Sequence, residues 1–321
     1  MSRKAIWILC GVAVSALMSG CATQTEMAMK FAQGDAAVYK VTTETIKDYK
    51  FEQPSLEPPK VKEDQSATVV TATFQQQVES VDAKGNAVAN VTIKGVAYAI
   101  KDKDVVKFEY DSGNTADAEK PFAKVIGQVY KISISPDGKV TVLDANAARA
   151  AVAGSTMDAR VAKSFFSDEA IAKRHEVLCL PEAGKAVAVG GTWERVVPPP
   201  PGLLAPKSYK KVYTLTKIEG PKGKAVAYVD MKGAESPVQA EGAADQAASS
   251  MGPFAKMFDT EETYTGSLEF DLAAGRVRKQ TEKLVVTYIA AEAPADQKPN
   301  VGPDKLTMRL TYGVDVQAVT E

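Results

Sequence analysis

The chain has 321 residues, 45% of them hydrophobic, with 39 basic and 40 acidic side chains and one histidine. That balance excludes the basic surface a nucleic-acid binder needs. Three cysteines, one of them inside an apolar leader, exclude a disulfide framework, so the fold must rest on a buried core, which a chain of this length can supply.

Arg3 and Lys4 precede an apolar run, Ala5–Met18, that is too short to span a bilayer core comfortably. The run ends in Leu17-Met18-Ser19-Gly20-Cys21. Charge, a short apolar run, small residues and then cysteine is the order of a bacterial lipoprotein signal. The small residues let an extended backbone enter a peptidase groove. The Cys21 thiol is the nucleophile that takes the diacylglyceryl group. Residues 1–20 are therefore expected to be removed and Cys21 to carry a membrane anchor. Loss of Arg3 and Lys4 leaves 37 basic against 40 acidic residues, a mature charge of −3. Ala22, and not Asp, follows the cysteine. By analogy with Gram-negative sorting this predicts the outer membrane, facing the periplasm. Residues 21–33 read as a tether, and Cys179 is left without a disulfide partner.

Residues 34–144 read as a first β-rich repeat. Val70, Ala72, Phe74 and Val78 alternate with polar residues, and so do Ala87, Ala89, Val91 and Ile93. One-sided alternation predicts antiparallel sheet with a single buried face. Val81–Asn86 carries the glycine of a hairpin turn. Residues 145–185 read as a helical link. Asp144 is expected to cap one helix and Ser155 a second bearing Met157, Val161 and Phe165. A third starts at Ser167, bears Ile171, His175 and Leu178, and stops before Pro181. Residues 186–321 read as a second β-rich repeat with a smaller helical insert over 243–258.

The two repeats share words in the same order. KGNAVANVTIKG (84–95) returns as KGKAVAYVDMKG (222–233), with eight of twelve positions identical. PFAK (121–124) returns at 253–256, each followed by a glycine-started strand, at Gly127 and Gly266. DGKV (137–140) is matched by AGRV (274–277), and GDAAVYKV from Gly34 by GTWERVV from Gly191. This is an internal duplication. The expected fold class is α+β, mainly antiparallel sheet, two similar halves joined by the helical segment.

With FAQGDAAVYKVTTET, VDAKGNAVANVTIKG, SPDGKV and LPEAGKAVAVGGTWE assembled, the chain resembles a family of planctomycete-type bacterial envelope lipoproteins known only as a domain of unknown function. The resemblance covers most of residues 30–320. It implies an exported, lipid-anchored β-rich domain and transfers no catalytic residue.

A Ser-His-Asp triad would have to run through His175, and His175 with Cys179 offers too few ligands for a metal site. No glycine loop cradles a phosphate. Trp193 and Tyr213 read as core aromatics before they read as a sugar site. No enzymatic activity, cofactor or metal is expected. Phe122, Val125 and Ile126, and again Phe254, Met257 and Phe258, have the spacing of an apolar helical turn. They are candidates for contacts to an apolar ligand or for a lid. The reading ranked first is a non-enzymatic, lipid-anchored envelope protein that binds a protein or envelope component, or serves a structural role. The alternative is an amphiphile carrier or chaperone that uses a curved sheet and a helical lid. The partners expected are the membrane, an envelope protein or an amphiphile, and no nucleic acid.

Overall fold

The computed structural model describes residues 24–103, 105–200, 202–204, 207–221, 223–240, 257–292, 297–299 and 301–319. β1 (Thr25–Glu26) is followed by two long strands, β2 (Ala36–Gln53) and β3 (Lys60–Val81), and by β4 (Ala87–Asp102) and β5 (Val105–Asp111). Short 3-10 turns at Thr115–Asp117 and Pro121–Val125 lead to β6 (Val129–Ile134) and β7 (Val140–Asp144). Three helices come next: α1 (Asn146–Ala151), α2 (Met157–Phe165) and α3 (Asp168–His175). Strands then return: β8 (Ala186–Val187), β9 (Thr192–Val197), β10 (Tyr209–Glu219), β11 (Val226–Glu235), β12 (Asp259–Asp271), β13 (Arg276–Ala291) and β14 (Lys305–Val319). The fold is α+β and mainly antiparallel sheet, as the alternation predicts. Most of the helical insert expected over 243–258 lies outside the described residues, as do Cys21 and Phe254. No helix of the described residues is long and apolar enough to cross a membrane.

One large sheet holds nearly every strand, in the order β7-β6-β4-β3-β2-β14-β13-β12-β11-β10-β9, with β5 beside β4. That order is the duplication written in space. The strands β2 to β7 and β9 to β13 cross the sheet in the same sense, and β14 fills the gap between the two sets. Their registers agree at a displacement of 138 residues. Ala89 pairs with Ile132 and Val91 with Tyr130, while Ala227 pairs with Phe270 and Val229 with Leu268. The repeats are fused into one sheet by β2 and β14, paired from Val38↔Val319 to Glu52↔Lys305.

This register corrects one expectation. Gly127 does precede its strand, but Gly266 sits in the middle of β12, opposite Met231 and Glu282. It is glycine because a Cβ there would lie 2.6 Å from the Thr281 carbonyl oxygen and 2.9 Å from the Met231 methyl.

The inner face follows the period-2 pattern. Ala87, Ala89, Val91 and Ile93 are all fully buried, and the hairpin glycines Gly85 and Gly223 both take positive φ, 83° and 85°. Two cores cover this face. The first packs Phe74, Ile93 and Ile132 against Ala148, Val161, Phe165 and Ile171 of the three helices. The second packs Tyr213, Val229, Leu268 and Leu284 against Met27, Met29, Val177 and Leu180. The stretch read above as a tether is therefore docked from Thr25 to Phe31. Met27 is 1% exposed, β1 pairs with β8, and Met29 and Lys30 donate backbone hydrogen bonds to Pro136 (2.8 Å) and Gly275 (3.1 Å). Those acceptors lie in the matching β6–β7 and β12–β13 turns, so this strap ties the two repeats together at one end.

The helices largely obey their local signals. Ser167 caps α3 through the Ala170 N–H. Asp144 is not the cap of α1: Ala145 holds that position without a side-chain cap bond, and Asp144, one residue earlier, accepts the Asn146 N–H. The cap of α2 is Thr156 and not Ser155, since the Thr156 hydroxyl accepts the Ala159 N–H. The third helix is shorter than expected: it ends at His175, and Leu178 and Pro181 lie beyond it. Tertiary pairing stops it. Glu176 is extended (ψ 135°), and the Val177 N–H turns to the Gly138 carbonyl at 2.9 Å.

Gly138 has φ +82° and a Cβ there would lie 2.3 Å from the Val177 oxygen, whereas Gly127 has φ +79° and nothing within 4 Å. Alanine at either position incurs backbone strain of about 1–3 kcal/mol. Gly138→Ala must also displace the exit of α3. In urea denaturation Gly138→Ala is expected to lose at least about 1 kcal/mol more than Gly127→Ala.

Candidate functional site

The two cores stop short of the centre of the sheet. There the inner-face residues are Thr43 and Thr45 of β2, opposite Val314 and Tyr312 of β14, and all four are only half-buried. The chain leaving α3 crosses above them. On one side of this crossing lies a cavity of about 210 Å³. Its floor is Val41, Thr43, Thr45, Val70, Ala72, Tyr98, Tyr312 and Val314, and its roof is Ser164, Phe165, Ala170, Lys173 and Arg174 of α2 and α3. On the other side lies a chamber of about 140 Å³, roofed by Glu176, Leu178 and Val197–Pro200, with Lys211, Tyr264, Gln280 and Glu282 below. Lys173, Tyr312 and Val314 border both. Together they form one groove in two chambers, apolar along most of the first and polar at the floor of the second.

Arg174 stands at the first chamber. Its guanidinium lies 3.8 Å from the centroid of the Phe165 ring, Nη2 donates to the Phe165 carbonyl (2.8 Å), and Nη1 donates to the Tyr130 hydroxyl (3.1 Å). The Tyr130 oxygen is in turn 2.6 Å from His175 Nε2. With Arg174 donating to that oxygen, the phenol is free to donate to an unprotonated Nε2, which leaves the histidine proton on Nδ1. His175 is enclosed by Phe74, 4.3 Å between ring centroids, and by Tyr130. Burial pushes its pKa well below the usual value, and the nearby Arg174 charge acts in the same direction. No serine or cysteine is hydrogen-bonded to it among the described residues, so a triad through His175 is not assembled there. His175 and Cys179 are four residues apart, but they do not share a helical face, because α3 ends at His175. His175 faces Tyr130, while Cys179 lies in the other core with its thiol 3.5 Å from Gln280 Oε1. Burial raises the Cys179 pKa to about 12, which keeps the thiol neutral.

The second chamber is built around an ion pair. Along β10 the inward positions are Tyr209, Lys211, Tyr213 and Leu215, so Lys211 interrupts an otherwise uncharged stripe. Its Nζ donates to Glu282 Oε2 at 2.6 Å, with the two side chains 8% and 12% exposed. Tyr264 donates to the same carboxylate oxygen at 3.1 Å, and Lys211 lies 4.8 Å from the centroid of the Tyr264 ring. Burial is the largest influence on Lys211 and opposes its charge, but the charge and hydrogen bond of Glu282 together with Tyr213 and Tyr312 more than offset it, so the pKa is raised and the ammonium persists. Burial and Glu282 together push the Tyr312 hydroxyl up to about 12.

The residues singled out in the sequence lie elsewhere. Phe122 and Val125 are fully enclosed in the first core, Phe122 against Tyr98, Phe108, Tyr110 and Phe165. Ile126 is half-buried against the same core. Met257 is 68% exposed, and the half-buried Phe258 ring packs 6.2 Å from Tyr288. Trp193 stacks on Tyr213 at 5.6 Å, and its Nε1 donates to the Cys179 carbonyl, an arrangement of core packing. None of these lines either chamber. The residues that do, Arg174, Lys211 and Glu282, were missed. A signal was present for two of them: Lys211 and Glu282 occupy inward phases of β10 and β13, beside Tyr213 and Leu284.

No protein-family model matches the chain, and no curated protein matches it. Among solved structures, one described as lipid-protein interactions in lipovitellin aligns with 91% of this chain at 8% identity and a TM-score of 0.42. The alignment covers 26% of that lipovitellin chain. A likeness so distant carries nothing further.

The depressed His175 pKa has a consequence for stability. In the unfolded chain the imidazole takes up a proton near its ordinary value of 6.5, while in the fold it does not. Its contribution is present in full above that value and is lost as the pH falls toward the folded pKa. The stability difference between wild type and His175→Gln is therefore expected to be flat above about pH 7. Between pH 6.5 and 5 it should shift against the wild type by up to about 1.4 kcal/mol per pH unit, read by urea denaturation.

Proposed function

We propose that this chain is a non-enzymatic, lipid-anchored envelope protein that holds an amphiphile in the central groove. The observation that carries the reading is the groove itself. The middle of an otherwise covered apolar sheet face is left open, is roofed by α2 and α3, and has Arg174 at its edge. Ligand sites are concave, largely apolar and furnished with a few oriented polar groups, and this groove has that form. The sequence alone ranks a partner-binding or structural role first. The groove moves the amphiphile reading ahead of it.

Placement in the envelope rests on the signal pattern ending at Cys21 and on the resemblance to envelope lipoproteins of unknown function. Lipoprotein processing supplies two or more acyl chains, enough for stable anchoring. A binding role is favoured over catalysis because the single histidine is engaged with Tyr130 and walled off by Phe74.

Two experiments separate the parts of this reading. Val314 borders both chambers, so Val314→Trp should obstruct them. Titration with a fluorescent fatty acid is expected to show saturable binding to the wild type and at least a tenfold loss in the variant. Equal affinity would refute the groove as the site. Cys21→Ser should shift the protein from the membrane to the soluble fraction of its native host, and retention in the membrane would refute the anchor.

A further inference from the structure

The ion pair of the second chamber is more than the fold requires. Phe74 pairs with Ile93 in the first repeat as Tyr213 pairs with Met231 in the second. Two residues earlier the inward position is Ala72 in one repeat and Lys211 in the other. The first repeat packs its core without a charge there. Installing one means desolvating both an ammonium and a carboxylate, a cost that their mutual attraction offsets only with good geometry and further hydrogen bonds.

The ammonium is also incompletely used. A lysine head has three donors, and among the described residues Lys211 makes one hydrogen bond, to Glu282. Its side chain is 8% exposed, and it forms part of the floor of the chamber under Pro198–Pro200. The Tyr312 hydroxyl, with no partner among the described residues, belongs to a residue at the junction of the two chambers.

We infer that the second chamber is the headgroup subsite of the groove. Lys211, oriented by Glu282, donates to the oxygens of a carboxylate or phosphate head while the acyl chain lies under α2 and α3. This rests on the amphiphile reading above and narrows it to anionic amphiphiles. Glu282 holds the ammonium in place, and the apolar roof of Val197–Pro200 strengthens its interaction with the head by excluding water.

The test compares probes with one tail and different heads. Dodecanoate and dodecyltrimethylammonium are titrated by calorimetry into the wild-type protein, into Lys211→Met, and into Lys211→Met/Glu282→Gln. The double variant avoids stranding a buried carboxylate and keeps the test available if the single variant fails to fold. The wild type is expected to prefer dodecanoate by roughly tenfold or more, the scale of a hydrogen bond to a charged group. The preference should fall at least threefold in each folded variant, whatever happens to absolute affinity. An unchanged preference ratio in the variants overturns the subsite, because a merely structural ion pair would alter stability without altering head selection. Equal wild-type binding of both probes overturns the subsite and leaves the amphiphile reading standing. Binding of neither probe overturns both.

Discussion

A twelve-stranded antiparallel sheet with one apolar face has to be shielded from water along its whole width, and everything else in this molecule follows from how that is done. The strands themselves supply no cover. It comes from chain outside the large sheet: the N-terminal strap Thr25–Phe31, the stretch from α1 to β8, and the proline run at 198–200 that follows the edge strand β9. Helices shield the first repeat, and largely extended chain shields the second. The cover must pass from one repeat to the other, and it does so above β2 and β14. At that crossing the Val177 N–H is drawn to the Gly138 turn, the helix ends, and a thinner extended segment leaves space on either side. The groove is thus the geometric remainder of covering a wide sheet with a single layer.

The duplication explains why the frame is regular and why its two halves are not equivalent. A displacement of 138 residues preserves strand pairing, turn glycines and the small residues of the inner face. It does not preserve the cover, which lies between and before the repeats and reaches each in a different form. Phe74 and Tyr213 pair with matching residues, Ile93 and Met231, and the inward residue two before is Ala72 in one repeat and Lys211 in the other, so one repeat has an apolar interior and the other a polar floor. The strap from Met27 to Lys30 engages the β6–β7 turn and the β12–β13 turn alike, which fixes the ends of the two repeats relative to each other.

Much of the frame was legible in the sequence because its signals are local. Alternation at Ala87, Ala89, Val91 and Ile93 gave face and strand, and the repeated words gave the duplication. Ser167 with Asp168 and Glu169 gave the start of α3. What escaped was decided by contacts distant in sequence. The end of α3 depends on Gly138, and the docking of Met27 on the second core. The fusion of the halves depends on pairing β14 with β2, strands more than 250 residues apart. The candidate site was the least legible. Aromatic spacing drew attention to Phe122 and Phe258, which pack with other aromatic rings, while Lys211 and Glu282 were visible only as charges in the wrong phase of a strand.

Paramagnetic broadening of valine methyl resonances tests the central claim most directly. With a nitroxide-labelled fatty acid added in stoichiometric amount, the account predicts selective loss of the Val41, Val70 and Val314 signals, which flank the groove. The exposed valines Val61, Val105 and Val106 should keep theirs. Broadening spread over those exposed positions, or none at all, would contradict it.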